Sequence, residues 1–194
     1  MNKIPACLSL LLFLVLLSPP ASDAQSRSAG RSSKEVYRGN IIYFGGPRGA
    51  ITDFFTLTID SLTPDDRVQN LIDVLKRDGQ DGLLKAVGRD KKGSIQIGGR
   101  LAHDLNEVWI TPTEEGRKIM ALSERWVGFG ELRRGARSLD YPFTYIELYV
   151  EDDGKVEGSL IPAARVRFKG GKTIEVENFG IYPARLTNIK RRRK

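Results

Sequence analysis

Between residues 94 and 189 apolar and polar side chains alternate in short runs, parted by glycine or acidic turns. A period of two suits a β-strand that buries one face and shows the other to water. The expected strands are residues 94–97, 105–111, 118–123, 143–150, 156–161, 164–168, 173–177 and 184–189. Asp152-Asp153-Gly154 and Lys169-Gly170-Gly171-Lys172 suit tight hairpins, where glycine reaches positive φ without steric cost, so the strands they join are antiparallel. Upstream, Ile41-Ile42-Tyr43-Phe44 reads as a short strand, Gly45-Gly46-Pro47-Arg48-Gly49 as a turn, and residues 51–60 as a strand with Ile51, Phe55, Leu57 and Ile59 on one side.

The helical signal is confined to residues 63–88. Thr63 has the chemistry of an N-cap, Pro64 suits the first helical position, and Asp65 and Asp66 complement the positive end of the helix dipole. Val68, Leu71, Ile72 and Leu75 form one apolar stripe, and Lys76-Arg77 precede Gly79 as the last turn of a helix would. A second short helix over 81–87 would turn Leu83, Leu84 and Val87 inward. The expected fold class is α+β: a mostly antiparallel sheet, barrel- or sandwich-like, with one or two short helices on its core side or across one end.

The first residues carry a different message. Lys3, the apolar run over residues 8–17, Ser18-Pro19-Pro20 and the small-residue site Ser22-Asp23-Ala24 have the layout of a secretory signal peptide cleaved near Ala24. The chain is then expected in the periplasm or secreted. Cys7 is the only cysteine, so residues 25–194 have no thiol, disulfide or cysteine-ligated metal. Residues 25–39, rich in serine and cations, read as a disordered leader, 40–189 as a single globular domain, and 190–194 as a basic tail. The net charge of +7 is concentrated at those two ends, which leaves residues 40–189 close to neutral. Lys190, Arg191, Arg192, Arg193 and Lys194 would attract polyanions. After export these are anionic lipid or polysaccharide and not nucleic acid.

Little of the usual catalytic vocabulary is present. His103 is the only histidine, which rules out the common zinc sets, and no serine stands in a nucleophile elbow, so His103 reads as a loop residue. The glycine-rich turn after residue 44 lacks the Lys-Ser/Thr ending of a phosphate loop. No metal site or cofactor is expected. Among acids in or beside apolar strands, Glu107, Glu124, Glu131, Asp140 and Glu147, the catalytic candidates are Glu131, Asp140 and Glu147; a pair of them would support hydrolysis. Tyr145 and Tyr149 share a strand face with Glu147, opposite Ile146 and Leu148. With Trp109 and Trp126 they are candidates for a ligand-binding aromatic surface.

Gly79-Gln80-Asp81-Gly82-Leu83-Leu84, Ser138-Leu139-Asp140-Tyr141-Pro142-Phe143 and Gly158-Ser159-Leu160-Ile161-Pro162-Ala163-Ala164 resemble a group of secreted bacterial proteins of unknown function, across residues 55–189. The resemblance implies export and one domain and carries over no catalytic residue. Three functions follow as expectations: an exported non-catalytic domain that binds a small ligand or envelope component on an aromatic sheet face, a carboxylate-pair hydrolase, or a structural protein docked to the envelope through its basic tail.

Overall fold

The alternating pattern produces one antiparallel sheet that curls until its first and last strands become neighbours in the chain. The computed structural model describes residues 34–46, 49–125, 140–169, 174–179 and 182–192. Its strands are β1 (Glu35–Gly46), β2 (Gly49–Ile59), β3 (Gly93–Ile97), β4 (His103–Leu105), β5 (Glu107–Thr113), β6 (Gly116–Glu124), β7 (Phe143–Glu151), β8 (Val156–Phe168), β9 (Ile174–Asn178) and β10 (Ala184–Arg192). They lie in the order β4-β3-β2-β1-β10-β8-β7-β6-β5, with β9 beside β8. Both β9 and β10 run antiparallel to β8. The two edge strands, β4 and β5, are joined by Asn106 alone, and β4 approaches β6. The result is a nearly closed barrel.

Inward side chains from β1–β8 and β10 make the first core. Tyr37, Ile41, Phe55, Leu57, Ile95, Val108, Ile119, Ile146, Leu148, Leu160 and Leu186 are among its buried members. Two irregularities adjust which residues face in. On β10 the register with β1 shifts between Thr187 and Lys190, and Asn188 takes φ 51°, as a bulge residue does. The bulge moves the inward series from Ala184 and Leu186 to Ile189 and aims Arg191 at Glu35. Across the same bulge lies Gly39, where a Cβ would stand 2.6 Å from Thr187 O.

At that end of the barrel the Glu35 carboxylate gathers three partners. Arg117 Nη2 lies 2.8 Å from Oε2, Arg191 Nη2 lies 2.7 Å from Oε1, and the Tyr37 hydroxyl donates to Oε2 at 2.6 Å. A carboxylate taken from water needs such compensation. Burial, then the bond to Glu35, holds the Tyr37 phenol well above its ordinary pKa. It remains the donor, and the stability it contributes is present below the usual tyrosine value and lost as pH rises from there through the raised one.

The helix α1 (Asp65–Ala86) lies on the outside of the barrel. Leu71, Leu75 and Leu83 pack with Leu122, Phe143, Tyr145, Ile161, Ala164 and Val166, the outward residues of β6, β7 and β8, in a second core. Gly79, at φ 68°, interrupts the helix where the two expected helices meet. Thr63 is not its N-cap. Pro64 holds that position, and the Thr63 hydroxyl donates to Glu107 Oε2 at 2.9 Å while accepting the Val108 N–H at 2.8 Å. Residues 60–63 thereby cross the seam: Asp60 and Ser61 N–H donate to Lys92 O, and Thr63 N–H donates to Val108 O.

Three expectations change. The helix covers the sheet's outer face and is not on the barrel's interior: its leucines pack with the outward residues of β6, β7 and β8, while the inward residues make a separate core. The ordered chain begins before residue 40: residues 35–39 of the expected leader form β1, paired with β2 on one side and β10 on the other. Lys190, Arg191 and Arg192 are not a free tail, since they continue β10 opposite Arg38, Tyr37 and Val36. The proposed signal peptide, residues 25–33 of the leader, and Arg193 and Lys194 lie outside the described residues. Because Arg191 answers a buried carboxylate and Arg192 does not, Arg191→Met should cost about 1–3 kcal/mol in urea unfolding. Arg192→Met should stay within about 0.5 kcal/mol of the parent.

Candidate functional site

The barrel's other end is open. The inward series of β1, β2, β3 and β8 reach the mouth at Tyr43, Ile51 and Asp53, Ile95 and Ile97, and Leu160; together with His103, Ser123 and Thr144 they line a cavity of about 390 Å³. Ile51, Ile95, Ile97, Leu160 and Pro162 supply its apolar wall. The polar groups Asp53, Arg100, His103, Glu124 and the Tyr43 hydroxyl stand among them. The volume falls in the range of roughly 300–1,000 Å³ found for small-molecule sites, and an apolar wall with a few convergent polar groups is their usual make-up.

Local backbone chemistry sets the polar side of this mouth. The β3–β4 turn is held by Arg100 N–H donating to Ile97 O at 3.2 Å and by Gln96 Nε2 donating to Arg100 O at 3.0 Å. Gly98 takes φ 57° there, and a Cβ on it would lie 2.6 Å from Asp53 Oδ2. The turn therefore needs glycine twice, for its backbone and for room beside Asp53. Opposite, Thr144 Oγ1 donates to Pro162 O at 3.2 Å, at the place where the β7–β8 register shifts.

Burial raises the Tyr43 pKa, with the Asp53 charge adding and Arg100 opposing, so its hydroxyl stays protonated. Burial also lowers the His103 pKa. Arg100 acts in the same direction and Asp104 against it. A neutral imidazole offers one donor and one acceptor, which suits a polar ligand head better than a fixed cation would.

The residues singled out in the sequence lie mostly elsewhere. Tyr145 is buried between sheet and helix, because the helix covers the face where an open aromatic surface was expected. Trp109 packs against the same core. Tyr149 is half-exposed on that outer face, with Lys118 Nζ 5.0 Å from its ring centre. Glu147 lies between the two tyrosines. It accepts the Tyr145 hydroxyl at 3.2 Å and pairs with Lys118 Nζ at 2.6 Å. Asp140 pairs with Arg165 at 3.2 Å. Neither acid lines the cavity, and Trp126 and Glu131 lie outside the described residues. Glu107, an acid beside an apolar strand, is structural: it binds Thr63, Arg67 and Gly88. No group of three or more potential metal ligands occurs among the described residues.

His103 and Asp53 are the residues that sequence reasoning set aside or missed. The available signal was weak: Asp53 is a lone polar residue on the inward side of an otherwise apolar strand, and His103 opens a three-residue strand too short to show a period. As the only histidine, His103 gives one ring resonance to follow. Its NMR titration should have a midpoint below the ordinary 6.5, moving further down in Asp104→Asn and up in Arg100→Gln. The pH dependence has a definite sign: with the folded pKa depressed, the stability this group contributes is lost as pH falls from the ordinary histidine value through the lowered one. Comparison of the chain with protein-family models, with curated proteins and with solved structures finds no match, so the functional argument rests on this geometry.

Proposed function

We propose that the protein is an exported binding module that takes one small amphipathic molecule into the mouth of its barrel, apolar body downward and polar head at the rim. The observation that carries this reading is the cavity itself. Ile51, Ile95, Ile97 and Leu160 give it an aliphatic interior, while Tyr43, Asp53, Arg100 and His103 place donors and acceptors around the polar side. Those chemistries suit a ligand with both characters, because a fully polar molecule would forfeit the apolar wall and an apolar one would make no use of the polar rim. The site thus moves from the outer aromatic face expected from the sequence to the inside of the same sheet.

Anilinonaphthalene sulfonate, which joins fused apolar rings to an anionic head, is a direct probe. Its fluorescence titration should saturate at one dye per chain. Thr144→Trp and Ile97→Trp each place bulk in the cavity and should weaken binding by about tenfold or more, a loss of roughly 1.4 kcal/mol. Their circular dichroism should match the parent. Unchanged affinity in both folded variants would place the dye elsewhere and remove the support for this reading. Asp53 and Glu124 are the acids that line the cavity, so hydrolysis by a carboxylate pair is the competing use of the same space. Turnover of a glycoside or ester that disappears in both Asp53→Asn and Glu124→Gln would favour it.

A further inference from the structure

The two ends of the barrel differ sharply in what they show to water. Around the mouth, exposed apolar side chains come from separate segments: Phe44 and Ile51 from the β1–β2 hairpin, Leu101 from the β3–β4 turn, and Phe179 and Tyr182 from the segment between β9 and β10. Leu101 is 87 % exposed, and Phe179 and Tyr182 are each 65 % exposed. These are large values for side chains of this size grouped at one end. Phe44 and Tyr182 meet edge to face at 6.4 Å, and the Arg185 guanidinium lies 5.4 Å from the Phe44 ring centre. Arg100, exposed beside Leu101, adds a second cation. At the far end the β5–β6 and β7–β8 turns present Glu114, Glu115, Asp152 and Asp153, all exposed, beside the exposed cations Lys190, Arg191 and Arg192 at the end of β10.

We infer that the mouth docks on an anionic lipid bilayer, with Phe44, Leu101 and Tyr182 entering the headgroup boundary and Arg100 and Arg185 meeting lipid phosphates. Two features select this occupant. The apolar residues sit on separate turns around a concave opening, so a flat protein partner would leave the cavity void beneath it, whereas lipid fills an irregular rim. Aromatic residues flanked by arginines match the boundary between acyl chains and anionic headgroups. Docking in this pose would open the cavity directly onto the bilayer, the source of amphipathic molecules that the proposed binding function requires. Docking through Phe44, Leu101 and Tyr182 does not require that the cavity bind the dye.

The test uses the full chain with tryptophan placed at either end, Leu101→Trp at the mouth and Glu115→Trp at the acidic turn. Vesicles of phosphatidylglycerol and brominated phosphatidylcholine should quench emission from position 101 and leave position 115 at the level of the parent. The apolar run near the N-terminus is the same in every variant, so the difference between positions reports the rim. Phe44→Asp combined with Leu101→Asp should lower vesicle partition by about tenfold while anilinonaphthalene sulfonate still binds. Equal quenching at both positions, or none at position 101, would overturn the inference. So would concentration-dependent self-association, abolished by the same two substitutions, without vesicle binding. Loss of dye binding with vesicle binding intact would instead fault the cavity reading.

Discussion

The Glu107 carboxylate is the constraint on which the arrangement depends. A barrel made from one chain must hide the unpaired edges of its first and last strands, and here those edges meet at Asn106. Glu107 is the first residue past that corner, and it is buried. It accepts from the Thr63 hydroxyl and the Gly88 N–H, and pairs with Arg67 at 3.0 Å. Arg67 stands in the first turn of the helix, and its guanidinium also donates to Ala86 O at the last. One carboxylate therefore fastens the seam and both ends of the helix. Removing it would leave a guanidinium and a hydroxyl short of a partner in a partly dry setting, which costs more than the net value of the bonds themselves.

Closing the seam creates the difference between the barrel's two ends. The Glu35 cluster occupies one end with a buried carboxylate answered by Tyr37, Arg117 and Arg191. At the other end the inward series finish in Tyr43, Asp53, Ile97 and Thr144, too few and too far apart to fill the lumen, and the cavity remains. The helix cannot fill it because the helix is committed to the outer face of β6, β7 and β8. The same commitment buries Tyr145 and takes away the aromatic surface that alternation alone suggested.

What could be read from the residues follows from the range of the interactions involved. Alternation, turn chemistry and the helix stripe are local, and from them the antiparallel barrel-like sheet with its helical segment was legible, down to the break at Gly79. Which face of the sheet the helix would cover was not, because both faces of β7 carry bulk: Ile146 and Leu148 on one, Tyr145 and Tyr149 on the other. The basic run read as a tail, yet Lys190, Arg191 and Arg192 continue β10. Only the bulge at Asn188 and a carboxylate more than 150 residues upstream give Arg191 a partner. The cavity was hidden for the same reason, since Tyr43, Asp53, His103 and Thr144 come together only when the sheet curls.

The claim that matters most is that the protein's ligand enters the barrel and does not lie on its outer face. Residue-resolved amide shifts recorded while anilinonaphthalene sulfonate is added test this directly. The account predicts that the perturbed amides cluster at the mouth ends of β1, β2, β3 and β7, around Tyr43, Asp53, Ile97 and Thr144, with the side-chain signal of His103 moving in step. Perturbations gathered instead around Lys118, Glu147 and Tyr149, with the mouth silent, would contradict it.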